Sequence, residues 1–259
     1  NSGEKKALII AATGSGKTYL SAFDVKKFKA KRVLFLVHRE NILLSAKDSF
    51  ENILGEKYSY GLYTGNKKEK DCKYLFSTIQ TMSLNFEEFP KNHFDYIIID
   101  EAHHVTSPSY KKVVEYFSPK FLLGLTATTN RMDGNSIYAV FDENIACDIR
   151  LNDALEHNLV VPFHYFGITD IQSLDYENVD LLKVDELENF LNVNKRVDFI
   201  IEQMNFYSFN GNKRKVIGFC VSKEHCSFMS KSFNDKGINA SYLTSDDSVL
   251  KREIGRAHV

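Results

Sequence analysis

The stretch Ile97-Ile98-Ile99-Asp100-Glu101-Ala102-His103-His104 places the tightest limit on what this chain can fold into. An apolar run too short for a helix, ending in two carboxylates, is how a buried strand delivers charge at its tip. Upstream, the apolar run at 7–12 breaks into Thr13-Gly14-Ser15-Gly16-Lys17-Thr18. Similar short runs recur at 33–37, 74–78 and 121–125, with amphipathic stretches between them. Strands that are apolar on both faces and separated by helices imply a parallel sheet covered on both sides. The expected fold class is therefore α/β, a doubly wound parallel sheet over residues 1–148.

Beyond that the pattern changes. Residues 149–210 are richer in Asp, Glu and Asn and read as a connector, with a strand expected at 160–168 and a helix near 194–207. A strand at 215–221, a helix at 223–236 capped by Gly237 and a strand at 240–244 would open a second α/β domain, truncated within 211–252. Residues 253–259 back-translate to the start of a common sequencing adapter and are expected to be translated artefact. Gly255-Arg256-Ala257-His258 looks like an arginine-finger motif, but it follows Ser222 too closely for the intervening elements.

Length and composition bound the rest. The chain has 259 residues with 43% apolar and 26% charged side chains, enough for one large core or two smaller ones. A net charge of -1 offers no overall positive field, so any nucleic acid must be held by a local groove. Cys72, Cys147, Cys220 and Cys226 lack paired spacing, which fits a reducing, cytoplasmic setting better than a disulfide framework or a zinc site. Cys220, His225 and Cys226 are read as packing residues rather than metal ligands. No apolar run approaches the roughly 20 residues of a membrane helix, so no membrane partner is expected.

The chemistry lies in two motifs. A phosphate loop needs flexible backbone to point amide N–H groups at oxygens, a lysine to neutralise charge and a hydroxyl for Mg²⁺. Thr13, Gly14, Ser15, Gly16, Lys17 and Thr18 supply these in order, between an expected strand and an expected helix. The second motif offers Asp100 to hold Mg²⁺ together with Thr18, and Glu101 to orient and deprotonate an attacking water. Together they imply ATP and Mg²⁺ as cofactors. Each has a plainer alternative: a chance turn before a lysine for the loop, and capping of the next helix for Asp-Glu.

At these residues the chain resembles the superfamily 2 helicases and translocases of the D-E-A-H branch, whose domains are RecA-like. The resemblance implies that Lys17, Asp100, Glu101 and His103 are catalytic, with His103 bridging the nucleotide site and the second domain. It gives His38 and Arg39, in Leu36-Val37-His38-Arg39-Glu40, and Ser77, Thr78 and Gln80 a role on the nucleic-acid backbone. Gly124-Leu125-Thr126-Ala127-Thr128 resembles the segment that couples hydrolysis to domain movement, and Ser222 belongs to the first motif of the second domain. The double histidine and Arg131, within Asn130-Arg131-Met132-Asp133-Gly134, bring the chain closer to the type III restriction subunit and UvrB-like group than to RNA-remodelling proteins. DNA is therefore the expected partner, with a fused or associated nuclease in the full-length protein. The same resemblance places adenine recognition upstream of residue 1 and the arginine finger downstream of residue 259.

Other readings compete. An RNA helicase would share the fold, a nucleotide-gated switch would not need Glu101, and a small-molecule kinase would not need the nucleic-acid segments. Residue by residue, Ser77, Thr78 and Gln80 could equally cap a loop, Arg39 could be a solvated charge at a helix start, and His38 and His104 could be satisfied polar groups. Thr129 stands where the family has proline, which loosens that loop by removing a fixed φ.

Overall fold

A computed structural model describes residues 3–128, 137–169, 183, 191–207 and 214–247. They divide into two compact units, 1–164 and 165–259.

The first unit is built on seven strands: β1 (Lys6–Ala11), β2 (Val33–Val37), β3 (Tyr60–Tyr63), β4 (Tyr74–Thr78), β5 (Tyr96–Asp100), β6 (Phe121–Thr126) and β7 (Ile145–Ile149). All seven pair in parallel, in the order β3-β4-β2-β5-β6-β1-β7. This is the doubly wound sheet that the apolar runs imply. Five of its strands coincide with those runs, and β3 and β7, the two edges, do not.

Alternate residues of each strand face opposite sides, so one sequence builds two cores. On one side Ile9, Phe35, Phe76, Ile98 and Leu125 pack with residues of α1 (Lys17–Phe28) and α2 (Glu40–Leu54). On the other side Leu8, Leu34, Leu75, Ile97 and Leu122 pack with α3 (Ile79–Asn85), α4 (Pro108–Tyr116) and α5 (Ile137–Val140). Gly124 in β6 belongs to this packing, because a Cβ there would lie 2.4 Å from the fully buried Phe141 ring. After β7, α6 (Leu151–Glu156) follows, and the chain turns at Asn158.

The second unit is described by two helices, Asn194–Phe206 and Lys223–Asp235. An ion pair between Lys236 and Asp198 ties them together. The expected cap at Gly237 is present: Gly237 N–H donates to Asn234 O and Ile238 N–H to Phe233 O, the paired bonds of a Schellman turn.

Three expected strands are corrected by the structure. Residues 160–168, 215–221 and 240–244 form no ladder among the described residues. A β-rich run becomes a strand only where a neighbour takes its backbone hydrogen bonds. Val161, Tyr165 and Phe219 are instead 84%, 87% and 96% exposed. Residues 129–136 and 248–259, which include Arg131, Thr129, the finger-like sequence and the adapter-like tail, lie outside the described residues.

Candidate functional site

Parallel register brings the polar ends of five strands to one rim. Val37 pairs with Thr78, Asp100 with Leu125 and Ile10 with Thr126, so the residues that follow each strand emerge side by side. Ligands of open α/β sheets bind at this carboxyl rim.

At its centre, β1 gives way to the loop 12–16 and then to α1. Gly14 and Gly16 hold φ of 84° and 86°, the left-handed region that glycine enters without strain, so each turns the backbone sharply there. Gly16 is the N-cap of α1, so Lys17 and Thr18 open the helix where its free N–H groups and dipole favour an anion. Thr13 and Gly14 are exposed, while Ser15, Lys17 and Thr18 are partly buried. The Ser15 hydroxyl donates to Ala12 O at 2.7 Å, which closes the turn. Lys17 Nζ donates to Ala11 O and Ala12 O at 2.9 and 3.2 Å. Burial lowers the Lys17 pKa, against the opposing pull of Asp100 and Glu101. Glycine-shaped backbone, a helix start and a lysine within electrostatic reach of two carboxylates fit a nucleotide phosphate with its metal.

Two strands away, Asp100 is 8% exposed at the end of β5, and burial and then the Glu101 charge push its pKa up to about 6. The Glu101 N–H donates back to Asp100 Oδ1 at 3.0 Å. Glu101 has φ 53°, a costly conformation for a side-chain-bearing residue and one that accumulates at functional sites. An anionic pair held in such a place calls for a cation, and one carboxylate with a helix-start hydroxyl is a hard oxygen donor set suited to Mg²⁺.

His103 gathers the next group. Its Nδ1 lies 3.2 Å from Glu101 Oε2 and 3.3 Å from Thr126 Oγ1. The Thr126 hydroxyl donates to Thr128 O at 2.6 Å, so it can only accept from His103, and Nδ1 therefore carries the proton. Fully buried Thr126 thus joins β6 to the carboxylate motif, with Ala127 partly buried and Thr128 exposed beside it.

The β2 and β4 ends differ. Ser77 is wholly buried, and its single hydroxyl proton serves Tyr63 O at 2.7 Å, with Thr78 O a second acceptor at 3.1 Å. Thr78 caps α3, accepting from Thr81 N–H, and its hydroxyl also donates to Thr81 Oγ1. Local capping is what Thr78 does here. Arg39 is the exposed N-cap residue of α2, and Gln80 is exposed with Nε2 3.3 Å from His38 Nδ1.

One residue outside the expected set joins the two halves. The His104 ring lies 4.1 Å from His103 and 5.4 Å from His38, between centroids, so three imidazoles run from Glu101 toward Gln80. The sequence marks His104 as half of the double histidine, but it does not show that the ring would stand between His103 and His38. Ser222, in the second unit, caps the helix Lys223–Asp235 by accepting from His225 N–H at 2.9 Å.

Comparison with known proteins sets this geometry in context. The family described as "Type III restriction enzyme, res subunit" matches residues 1–131. The candidate ATP-dependent helicase IRC3 of Saccharomyces cerevisiae is 23% identical over 97% of this chain and 39% of its own length. The type I restriction enzyme EcoAI endonuclease subunit of Escherichia coli is 23% identical over 98% of this chain and 35% of its own. A fragment structure of a candidate HsdR subunit of a type I restriction enzyme from Vibrio vulnificus YJ016 shares the fold, with TM-score 0.58 and 22% identity over 99% of this chain and 43% of that one. The chain spans about two fifths of the length of the curated relatives it matches.

Proposed function

The chain belongs to the type III restriction enzyme res subunit family, and from that premise we propose that it forms the nucleotide-binding part of an ATP-dependent DNA translocase or helicase. The observation that carries the reading is the convergence of Lys17, Asp100, Glu101, His103 and Thr126 from three strand ends onto one rim. Lys17 and the loop amides hold phosphate oxygens, while Thr18 and Asp100 are the groups that would hold Mg²⁺. When bound, Mg²⁺ neutralises charge on the transferred phosphoryl group. Glu101 orients and deprotonates the water, and His103 passes the state of that site to Thr126 and the following loop.

The DNA half of the reading rests on kinship with restriction subunits and on exposed His38, Arg39 and Gln80 on the same rim. Groups like these can hydrogen-bond phosphates without reading bases, which suits a motor that moves along any sequence. An associated nuclease fits the same kinship. The relatives are more than twice as long, so the proposal concerns the motor to which these residues contribute. By themselves they should bind nucleotide weakly and turn it over negligibly, since a second-domain arginine is worth about 10³ to 10⁵ in rate in related phosphoryl transfer.

The test is ATP turnover by the longer protein with single-stranded DNA, double-stranded DNA and RNA. Stimulation by DNA above RNA is the expected result. Stimulation by RNA alone would replace the substrate, and slow turnover indifferent to every nucleic acid would favour a nucleotide-gated switch.

A further inference from the structure

Every strand of the sheet is parallel, so the loops that enter the strands gather at the end opposite the nucleotide site. Along that end the neighbours β3, β4, β2 and β5 are preceded by residues 55–59, 71–73, 29–32 and 89–95. These four loops hold Lys29, Lys31, Arg32, Lys57, Lys73 and Lys91 against Glu56, Asp71 and Asp95, six cations to three carboxylates in a chain of net charge -1. They are also fastened to one another. Lys73 N–H donates to Ser59 O, Val33 N–H to Lys73 O and Asp95 N–H to Arg32 O, at 3.2, 2.8 and 2.9 Å.

What holds the cations matters more than their number. Lys57 and Lys73 Nζ stand 5.1 and 4.2 Å from the Tyr58 ring centre, and Lys91 Nζ stands 5.7 Å from that of Tyr116. Arg32 NH1 lies 3.3 Å from His93 Nδ1. A guanidinium only donates, so Nδ1 accepts and the imidazole is neutral. Burial, and then the Arg32 charge, lower the His93 pKa and keep it so. Rings orient all four cations without cancelling their charge, and among the described residues none of the four makes an ion pair. Asp95, by contrast, is engaged by Lys31 N–H at 2.7 Å and Lys120 Nζ at 3.5 Å. Ordered, uncompensated cations on a rigid edge attract a polyanion. With strands about 4.8 Å apart, the row from β3 to β5 spans roughly 14 Å. That covers about four phosphates of one strand of a double helix, at about 3.4 Å of axis each.

We propose that Lys57, Lys73, Arg32 and Lys91 form a second nucleic-acid surface, at the amino end of the sheet, which holds the phosphate backbone of a DNA duplex without reading its sequence. A single strand binds by stacking its bases on open aromatic faces, and here the lysines occupy those faces. A protein partner would need a desolvated apolar anchor, and no large apolar side chain of the four loops is exposed. The surface stands on these loops alone, so it holds duplex whether or not the opposite rim hydrolyses nucleotide.

Fluorescence anisotropy of a labelled duplex of about 20 base pairs, titrated with this chain between about 50 and 200 mM salt, tests it. The variant combines Arg32→Gln, Lys57→Gln and Lys91→Gln, three exposed positions, so it should keep the thermal midpoint of the unsubstituted chain. Its duplex affinity at the lower salt should fall at least about tenfold, and its slope of log affinity against log salt should flatten by about 2.7, about 0.9 per lost contact. The charge-preserving set Arg32→Lys, Lys57→Arg and Lys91→Arg should keep both. The same loss should appear when Arg39→Gln has already weakened the opposite rim, which separates this surface from the DNA contacts assigned there. Unchanged affinity and slope in the glutamine variant would overturn the surface, as would an equal loss in the charge-preserving set. Single-stranded DNA or poly-glutamate held as tightly as duplex, and lost in the same variant, would also overturn it, replacing the duplex with a single strand or an acidic protein.

Discussion

The β1–β5–β6 part of the rim and the β2–β4 part are built from residue types equally able to hold phosphate, yet their side chains are spent differently. Around the phosphate loop, Lys17, Asp100, Glu101, His103 and Thr126 find their partners across elements, with a buried carboxylate and a left-handed glutamate. At β4, Ser77 and Thr78 spend their hydroxyls on Tyr63, Thr81 and their own backbone, while His38, Arg39 and Gln80 are exposed. Opposed charges held in poor solvent seek a ligand, whereas a neutral hydroxyl can be satisfied one turn away. The three imidazoles of His103, His104 and His38 form the physical link between the two parts.

The largest test of that contrast is Glu101→Gln in the longer protein. Loss of a positioned general base should lower stimulated turnover by about 10² to 10⁴, with nucleotide binding retained. Ser77→Ala should leave turnover within about twofold, since its hydroxyl serves the fold; a loss comparable to that of Glu101→Gln would erase the difference between the two parts.

Next in size is Gly124→Ala, where the added methyl meets the Phe141 ring. Urea unfolding should show a loss of about 1–3 kcal/mol. An unchanged midpoint would mean that Gly124 serves movement of the loop rather than packing.

A smaller effect follows from Asp100, whose pKa is raised from 3.8 to about 6. The folded state then holds this proton more tightly than the unfolded chain, so its contribution to stability is fully present below 3.8 and is lost as pH rises through about 6. Mg²⁺ needs the ionised form, so the sign for metal is opposite. Mg²⁺-dependent nucleotide affinity should be about fourfold weaker at pH 5.5 than at pH 7.5, and Asp100→Asn should remove the dependence. An affinity flat across that range in the unsubstituted chain would show that Asp100 does not hold the metal.

The smallest expected change lies in nucleic-acid affinity. Gln80→Ala should weaken single-stranded DNA binding by about two- to fivefold and Ser77→Ala hardly at all, as filter binding at fixed salt would show. The reverse order would mean that Ser77 turns outward on binding.

How far these parts could be read in advance follows from the same physics. The five inner strands are apolar on both faces and declare themselves. Edge strands do not: β3 is four residues long with Gly61 inside it, and β7 interrupts its apolar pattern with Asp148. Conversely, 160–168 and 215–221 carry strand-like sequence without a ladder among the described residues, because periodicity records which side chains could be buried and not whether a neighbour is present. In the site, the spacing of Lys17, Asp100 and Glu101 marked a demanding chemistry in advance. The fate of the Ser77 and Thr78 hydroxyls was not legible, because capping and phosphate contact use the same atoms. Nor was the row of cations at the amino end of the sheet, whose members come from four loops that only the strand order brings together.

The central claim is that this rim is a nucleotide site organised by Lys17. Its most direct test is the affinity of the chain for Mg²⁺-ATP before and after Lys17→Ala, with both proteins shown to be folded. Weak but measurable binding that falls at least about tenfold on substitution is the predicted result. Equal affinity in the two proteins would contradict it.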